Sequence, residues 1–462
     1  MSTLRFGYGT NGFANHRLDD ALAIIADLGY TGVALTLDHA HLDPFADDVV
    51  AQTGRVRARL DDLGLGVVVE TGARYLLDPW RKHQPTLVSD DPAPRIDFLR
   101  RAARIAADLG AECVSFWSGV KPSDVDDETA WRRMRDGVAA VLDGAEVRFA
   151  LEPEPGHFVQ HLAQAIRLRT ELGSPELLGI TLDVGHCVAV EPKSAAECVR
   201  EAGELLFNVQ LDDMLPGVHE HLEFGEGQLD LAGTLGALAD IGYRGLAAVE
   251  LPRHSHAAPD VARRSLAALQ AADWLSRAEG AVRADPVKIR TLFPAVGRKA
   301  GRSSLDAQGL VHGTTDDHAR VRLLAALATA LTGDELAKEV ADLYRYGDGA
   351  ERRGVLRGLH HLPAGVADVG LQLVEDALRA NDIGLVAAAL GPFAAERLDP
   401  HMWRHGVLKC LFVGVPLAAV SGLADRIDDE LVRMVTDYVA ERKAAGRTVP
   451  PDAHLVLQKG VR

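Results

Sequence analysis

Apolar residues in the first 275 positions gather in short unbroken runs instead of alternating with polar ones. Val67-Val68-Val69 and Leu246-Ala247-Ala248-Val249 are typical. Such runs suit parallel strands buried on both faces. They recur over 5–9, 32–38, 66–71, 113–118, 147–153, 178–184, 207–213 and 245–251, a spacing of about 30 to 40 residues that leaves room for one helix between neighbours. A second phrase keeps step with them. Ala26-Asp27-Leu28-Gly29, Asp61-Asp62-Leu63-Gly64, Ala107-Asp108-Leu109-Gly110, Thr170-Glu171-Leu172-Gly173 and Ala239-Asp240-Ile241-Gly242 each close an amphipathic stretch with a glycine suited to ending a helix. Eight strands alternating with helices predict an α/β fold, a (β/α)8 TIM barrel over residues 1–275. A doubly wound open sheet is the alternative; Gly7-Tyr8-Gly9-Thr10-Asn11-Gly12 has the G-x-G-x-x-G spacing, but its first two glycines lie inside the first run and not in a turn after it.

Beyond a polar linker expected at 276–290, which contains Asp285-Pro286, the strand pattern vanishes. Helix-length segments over 319–331, 334–344, 349–359, 366–380, 400–412 and 429–444 predict an all-α helical domain for residues 291–462. Breaks fall at Leu362-Pro363, Gly391-Pro392 and Pro450-Pro451, while Asp399-Pro400 reads as a helix cap followed by the first helical residue.

Composition narrows the function classes. At 462 residues, 47% hydrophobic and 25% charged, the chain is an ordinary globular one of two or three domains. The start, Met1-Ser2-Thr3-Leu4-Arg5, carries no basic region followed by an apolar run, and no segment nears 18 uninterrupted apolar residues, so a cytoplasmic protein without a membrane span is expected. Cys113, Cys187, Cys198 and Cys410 lack C-x-x-C spacing, which argues against a disulfide framework or a cysteine zinc knuckle. Residues 1–282 hold 26 Lys and Arg against 43 Asp and Glu, whereas 283–462 hold 24 against 23. So acidic a first part repels phosphate backbones, and no nucleic acid is expected as partner.

In a barrel the chemistry sits where strands end. The third run ends in Glu70, the fifth in Leu151-Glu152-Pro153, the sixth in Leu182-Asp183-Val184-Gly185-His186, the seventh in Val209-Gln210-Leu211-Asp212-Asp213 and the eighth in Val249-Glu250-Leu251. A carboxylate closing an apolar strand loses several kcal/mol of hydration unless something positive meets it. Glu152, Asp183, Gln210 and Glu250, with His186, make an oxygen-rich set suited to a divalent metal such as Mn²⁺, Mg²⁺ or Zn²⁺. Taken singly, each has a plainer reading as a salt bridge or loop cap. His219-Glu220-His221 follows the seventh run and offers, with His186, a second metal position; its plain reading is a polar surface loop. Asn11, His39, His41, Glu70, Arg74 and Trp117 follow the first four runs and are candidates for substrate binding. Arg74 and Lys82 suit a phosphate or carboxylate, or equally ion pairs with Asp78 and Glu70.

With these residues in view, 1–275 resembles the xylose-isomerase-like barrel superfamily of sugar phosphate isomerases and epimerases, inosose dehydratases and endonuclease-IV-type nucleases. That resemblance implies metal ligands at Glu152, Asp183 and Glu250. It places Gln210 where the superfamily usually has histidine, an amide that coordinates zinc more weakly than imidazole. Gly225-Glu226-Gly227 also matches. In the endonucleases, residues corresponding to His186, His219 and His221 hold an additional metal, with Asp at the His219 position. Residues from about 290 to 460 resemble the EboA domain through Phe293-Pro294-Ala295-Val296-Gly297-Arg298-Lys299, Tyr344-Arg345-Tyr346-Gly347-Asp348-Gly349-Ala350-Glu351-Arg352-Arg353, Val407–Pro416 and Asp437–Arg442. Barrels of the same gene clusters are similar to this one at Tyr8-Gly9-Thr10-Asn11-Gly12-Phe13, Leu37-Asp38-His39-Ala40-His41-Leu42 and Glu70–Pro79. The likeness implies secondary metabolism and possible protein partners from the same cluster through the helical domain.

Three functions stand open on these grounds. The first is a divalent-metal-dependent isomerase or epimerase of a sugar-like or polyol small molecule, in which Glu152 and Glu250 are the catalytic acid and base. The second is a multi-metal phosphoesterase of the endonuclease-IV-like type on a small phosphoester, using the three histidines. The third is a non-catalytic metal-binding or scaffold protein, a reading that Gln210 favours.

Overall fold

The computed structural model describes residues 4–72 and 74–459. Eight parallel strands close a barrel: β1 (Arg5–Gly9), β2 (Gly32–Thr36), β3 (Gly66–Glu70), β4 (Val114–Trp117), β5 (Phe149–Glu152), β6 (Leu178–Asp183), β7 (Leu206–Leu211) and, after a small hairpin of β8 (Asp213–Leu215) and β9 (Val218–Leu222), β10 (Leu246–Val249). Their order around the cylinder is β1, β10, β7, β6, β5, β4, β3, β2, with β1 pairing β2 to complete it. The expected (β/α)8 barrel and the helical part after it are both present. Helices end where the glycines were expected to end them; Gly29 follows Leu18–Leu28 at φ 100° and caps it through the carbonyls of Ile25 and Ala26.

Side chains inside the barrel change character along its axis. Ala34, Val68, Cys113, Ala150, Leu246 and Ala248 form a small apolar plug. Ser115, Thr181 and Asn208 make a polar layer, in which Thr181 donates to Ser115 Oγ at 2.8 Å and Asn208 Nδ2 donates to Glu70 Oε1 at 3.0 Å. Register then aligns the strand ends, with Trp117 opposite Glu152 and Asp183 opposite Gln210.

The chain divides into two compact units at Asp273 and Trp274. The expected linker at 276–290 is a correction: Ala258–Ala284 is one helix, and a short turn at Pro286–Lys288 leads into the helix Ile289–Lys299. The polar composition there belongs to helix surface, and only Asp285-Pro286 interrupts it. In the second unit Asp429–Ala444 is helical as expected, and Asp399 Oδ1 accepts the backbone N–H of His401 and Met402. The short apolar helices Ile383–Ala389 and Pro392–Arg397 were not expected; each is too short to show a helical period. Among the described residues, no helix is long and apolar enough to cross a membrane.

Candidate metal centre and active site

The strand ends and the loops after them enclose a cavity of about 550 Å³. It is lined by Asn11, Glu70, Arg74, Trp117, Glu152, His186, Gln210, His219, His221 and Glu250, ten of the thirteen residues singled out from the sequence. Asp183 lies buried within the same cluster: one ligand atom each from Glu152, Asp183 and His186 fall within 4.8 Å of one another. His39 and His41 are not part of the lining. The His39 ring is exposed and lies 2.5 Å from the Asp38 carboxylate, and His41 Nε2 is 3.3 Å from the His16 carbonyl, so both local partners hold these rings outside the site.

The strands and caps aim the donor atoms. Asp183 is the cap of the short helix Val184–Val190: its Oδ1 accepts the His186 N–H at 2.9 Å, leaving Oδ2 without a hydrogen-bond partner. Asn11 Nδ2 donates to Glu250 Oε1 at 2.8 Å and leaves Oε2 bare. The Gln210 Oε1 is bare as well. Buried oxygens without partners are costly, about 1–3 kcal/mol each and more when charged. Three of them, all from the expected ligand set, stand at the ends of the adjacent β6, β7 and β10 and are oxygens of the kind a divalent cation takes. The donor atoms that close to within 4.8 Å of one another join Asp183 to Glu152 and His186 and to Asp212 and His221. The residues present fit a bound metal.

Electrostatics leads to the same place. Burial, followed by the charge of Glu250, pushes the Glu152 carboxyl well above the usual range and raises Glu70 to about 8. Glu250 is itself raised by burial. Burial works against the Asp183 carboxylate too, but the adjacent His186 and His221 outweigh it and hold Asp183 below its ordinary value. No lysine or arginine forms an ion pair with Glu70, Glu152 or Glu250 among the described residues.

Beside these carboxylates sit three histidines from the helix start and the hairpin. The Nε2 atoms of His186 and His219 are 3.1 Å apart, and the three rings offer donor atoms within 4.8 Å of one another. Burial lowers His186 to about 4, whereas His221 Nδ1 lies 2.6 Å from Asp212 Oδ2 and that carboxylate, overcoming burial, raises the imidazole to about 10. Burial and the charge of Asp183 push the Asp212 carboxyl up. The loop is drawn over the site by Asp213, which accepts the N–H groups of Met214, Gly225 and Leu229 at 2.8–2.9 Å. At Gly227 a Cβ would fall 2.3 Å from Asp213 Oδ1, which accounts for the second glycine of the Gly-Glu-Gly phrase.

Sequence reading passed over Glu154, Asn208 and Asp212 as site residues. Glu154 lines the cavity, is raised to about 8 by burial and Glu250, and lies 3.0 Å from the half-buried His157. All three follow from the period of a strand, since Glu154 is two residues from Glu152 and Asn208 and Asp212 flank Gln210 at the same interval.

The closed eight-stranded parallel barrel, with Glu152, His186, Gln210 and Glu250 lining one cavity at its mouth, defines the class of fold. The chain belongs to the xylose isomerase-like TIM barrel family, whose model matches residues 22–276, and residues 310–458 match the metabolite traffic protein EboA. Among curated proteins, L-ribulose-5-phosphate 3-epimerase UlaE of Shigella flexneri serotype 5b is 27% identical over 254 residues, covering 53% of this chain and 86% of the relative. The protein of that name from Escherichia coli K12 is 25% identical over 264 residues, covering 55% and 88%. Among solved structures, one of L-ribulose 3-epimerase aligns at TM-score 0.49 and 19% identity, covering 61% of this chain and 98% of that one.

Proposed function

We propose that the barrel is a divalent-metal-dependent epimerase or isomerase of a sugar-like or polyol small molecule, acting in the cytoplasm in a secondary-metabolite pathway. One observation carries the reading: Asp183, Gln210 and Glu250, at the ends of neighbouring strands, each keep a buried oxygen without a hydrogen-bond partner. Similarity to epimerases over most of their length supports enzyme function. In this reading Glu152, Asp183, Gln210 and Glu250 hold the ion, which is Mn²⁺, Mg²⁺ or Zn²⁺. Bound there, it polarises a substrate carbonyl and neighbouring hydroxyl and so acidifies the C–H between them.

The chain's own groups then move the proton. Asn11 fixes Glu250 by donating to its Oε1, and the Glu250 carboxylate takes the proton from carbon. Glu152 returns a proton. Delivered to the opposite face of the same carbon it gives an epimer; delivered to the neighbouring carbon, after the hydroxyl proton shifts, it gives an isomer. Trp117 walls the cavity and is locked by His83 stacked at 5.1 Å and by Arg95, whose guanidinium carbon is 4.5 Å from the ring centre. Glu70 and Arg74 reach the substrate's hydroxyl groups. The helical unit, residues 291–462, serves partners from the same gene cluster.

Solvent deuterium decides the matter. Metal-loaded protein incubated with ketopentoses and their phosphates in D₂O is expected to wash deuterium into the carbon next to the carbonyl, and Glu250→Gln to stop it. A full panel of ketoses without exchange refutes the proposal. The clustering of His186, His219 and His221 favours a second reading, a multi-metal phosphoesterase acting on a small phosphoester. Hydrolysis of p-nitrophenyl phosphate by the zinc-loaded protein, lost in His219→Ala, distinguishes it.

A further inference from the structure

The helical unit has a cavity of its own, about 290 Å³, at the lower end of the size range of small-molecule sites. His318, Val321 and Arg322 from one helix, with Arg357, His361 and Ala388, line it, and no carboxylate is among its described lining residues. Arg322 is held by Glu279 at 2.5 Å. Arg357 is different. Its guanidinium has five N–H donors: Nη2 donates to the Leu310 carbonyl at 2.9 Å and Nη1 to the Val311 carbonyl at 3.4 Å, while Nε lies 3.2 Å from Asp317 Oδ2 as an ion pair and not a hydrogen bond. One N–H on each Nη remains.

The surrounding ion pairs do not supply the missing anion. Asp316 contacts Arg320 at 2.6 Å and Arg353 at 3.9 Å, while Asp317 contacts Arg353 at 2.9 Å as well as Arg357. Three guanidinium groups thus share two fully buried carboxylates. The nearby Asp306 is taken up by the backbone N–H groups of Gln308, Leu310 and His312. Burial lowers the Arg357 pKa, and the attraction of Asp317 offsets only part of that.

We propose that this cavity binds a small organic carboxylate, with the acid on the free edge of Arg357 between His318 and His361, and the apolar body on Val321 and Ala388. A guanidinium edge matches the two oxygens of a carboxylate. The apolar wall favours such a ligand over inorganic phosphate, which has no body to bury.

Benzoate is the probe, titrated calorimetrically into the full-length chain, with benzyl alcohol and inorganic phosphate as comparisons. The expected result is a benzoate Kd below about 1 mM, with both comparisons at least tenfold weaker. Arg357→Gln should weaken benzoate at least tenfold. Val321→Trp fills a partly exposed part of the cavity without touching a charge, so it should abolish binding while leaving thermal unfolding unchanged. If Arg357→Gln does not fold, Val321→Trp alone decides. The proposal is overturned if benzoate gives no binding heat up to about 10 mM, if benzyl alcohol or phosphate binds as well as benzoate, or if Val321→Trp binds benzoate like the wild type.

Discussion

Buried carboxylates occur in both units of this chain and are treated in opposite ways. In the helical unit Asp316 and Asp317 are fully buried, and the protein supplies their cations from Arg320, Arg353 and Arg357. At the barrel mouth Glu70, Glu152 and Glu250 are raised by burial, and the charge of Glu250 adds to the rise in the other two. The two carboxylates of the first are answered within the chain, and their ion pairs hold helices together. The second has no lysine or arginine ion-paired to it among the described residues, which on the function proposed above is where the metal enters. A buried charge answered by its own neighbours belongs to the structure, whereas one left to repel its neighbours marks the site where chemistry is to be done.

The comparison breaks most readily at Glu250. Glu250→Gln should cut turnover by about a thousandfold or more and weaken metal binding, yet leave the metal-free protein as stable as the wild type or more so, because it removes a repelling charge. Calorimetric titration with Mn²⁺ and thermal unfolding in a chelator read both effects; a large loss of metal-free stability would mean that Glu250 has a structural partner after all. Asp316→Ala should do the reverse, costing about 3–5 kcal/mol of stability by stranding Arg320, with Mn²⁺ affinity at the barrel unchanged. Urea unfolding followed beside the metal titration tests this.

Acid should separate the units by sign. Glu70 has a folded pKa of about 8, above its unfolded value of about 4.3, so its ionisation penalises the metal-free fold at alkaline pH and the penalty fades as pH falls through that window. Asp316 is opposite. Burial opposes its charge, but the Thr314 hydroxyl and Arg320 more than compensate and depress its pKa. Its stabilisation is present above the unfolded value of about 3.9 and is lost as pH falls through the folded one. Hydrogen exchange of the chelator-treated protein at pH 8.5, 6 and 3.5 should show β3 and β7 better protected on the first step down and the helix Thr315–Ala330 less protected on the second.

Much of this contrast was legible in the sequence, for a physical reason. Parallel strands buried on both faces write themselves as unbroken apolar runs, so a glutamate at the end of such a run, as at Val249-Glu250, is conspicuous. The pairing of Asp316 and Asp317 was not legible: both lie in the polar start of a helix, where acids are ordinary caps, and only folding brings Arg353 and Arg357 onto them. His39 and His41 were placed in the site by chain position alone, and their rings are held elsewhere by Asp38 and the His16 carbonyl. Asn208 and Asp212 were missed because only Gln210 was taken from the run 207–213 as a site residue, although both stand two residues from it, at the period that returns a strand to the same face.

The smallest effect tests how finely the unanswered site is tuned. Gln210 sits in register between Asp183 on β6 and Ala248 on β10, with its Oε1 bare. A neutral amide oxygen favours hard cations and binds zinc less well than an imidazole nitrogen. Gln210→His should therefore strengthen zinc binding by about tenfold, roughly 1.4 kcal/mol, while changing Mg²⁺ affinity little. Competition between Zn²⁺ and Mg²⁺ in a calorimeter measures that ratio directly. If the substitution leaves the ratio unmoved, Gln210 does not contact the ion, and the set holding it reduces to the carboxylates of β5, β6 and the end of β10, together with His186.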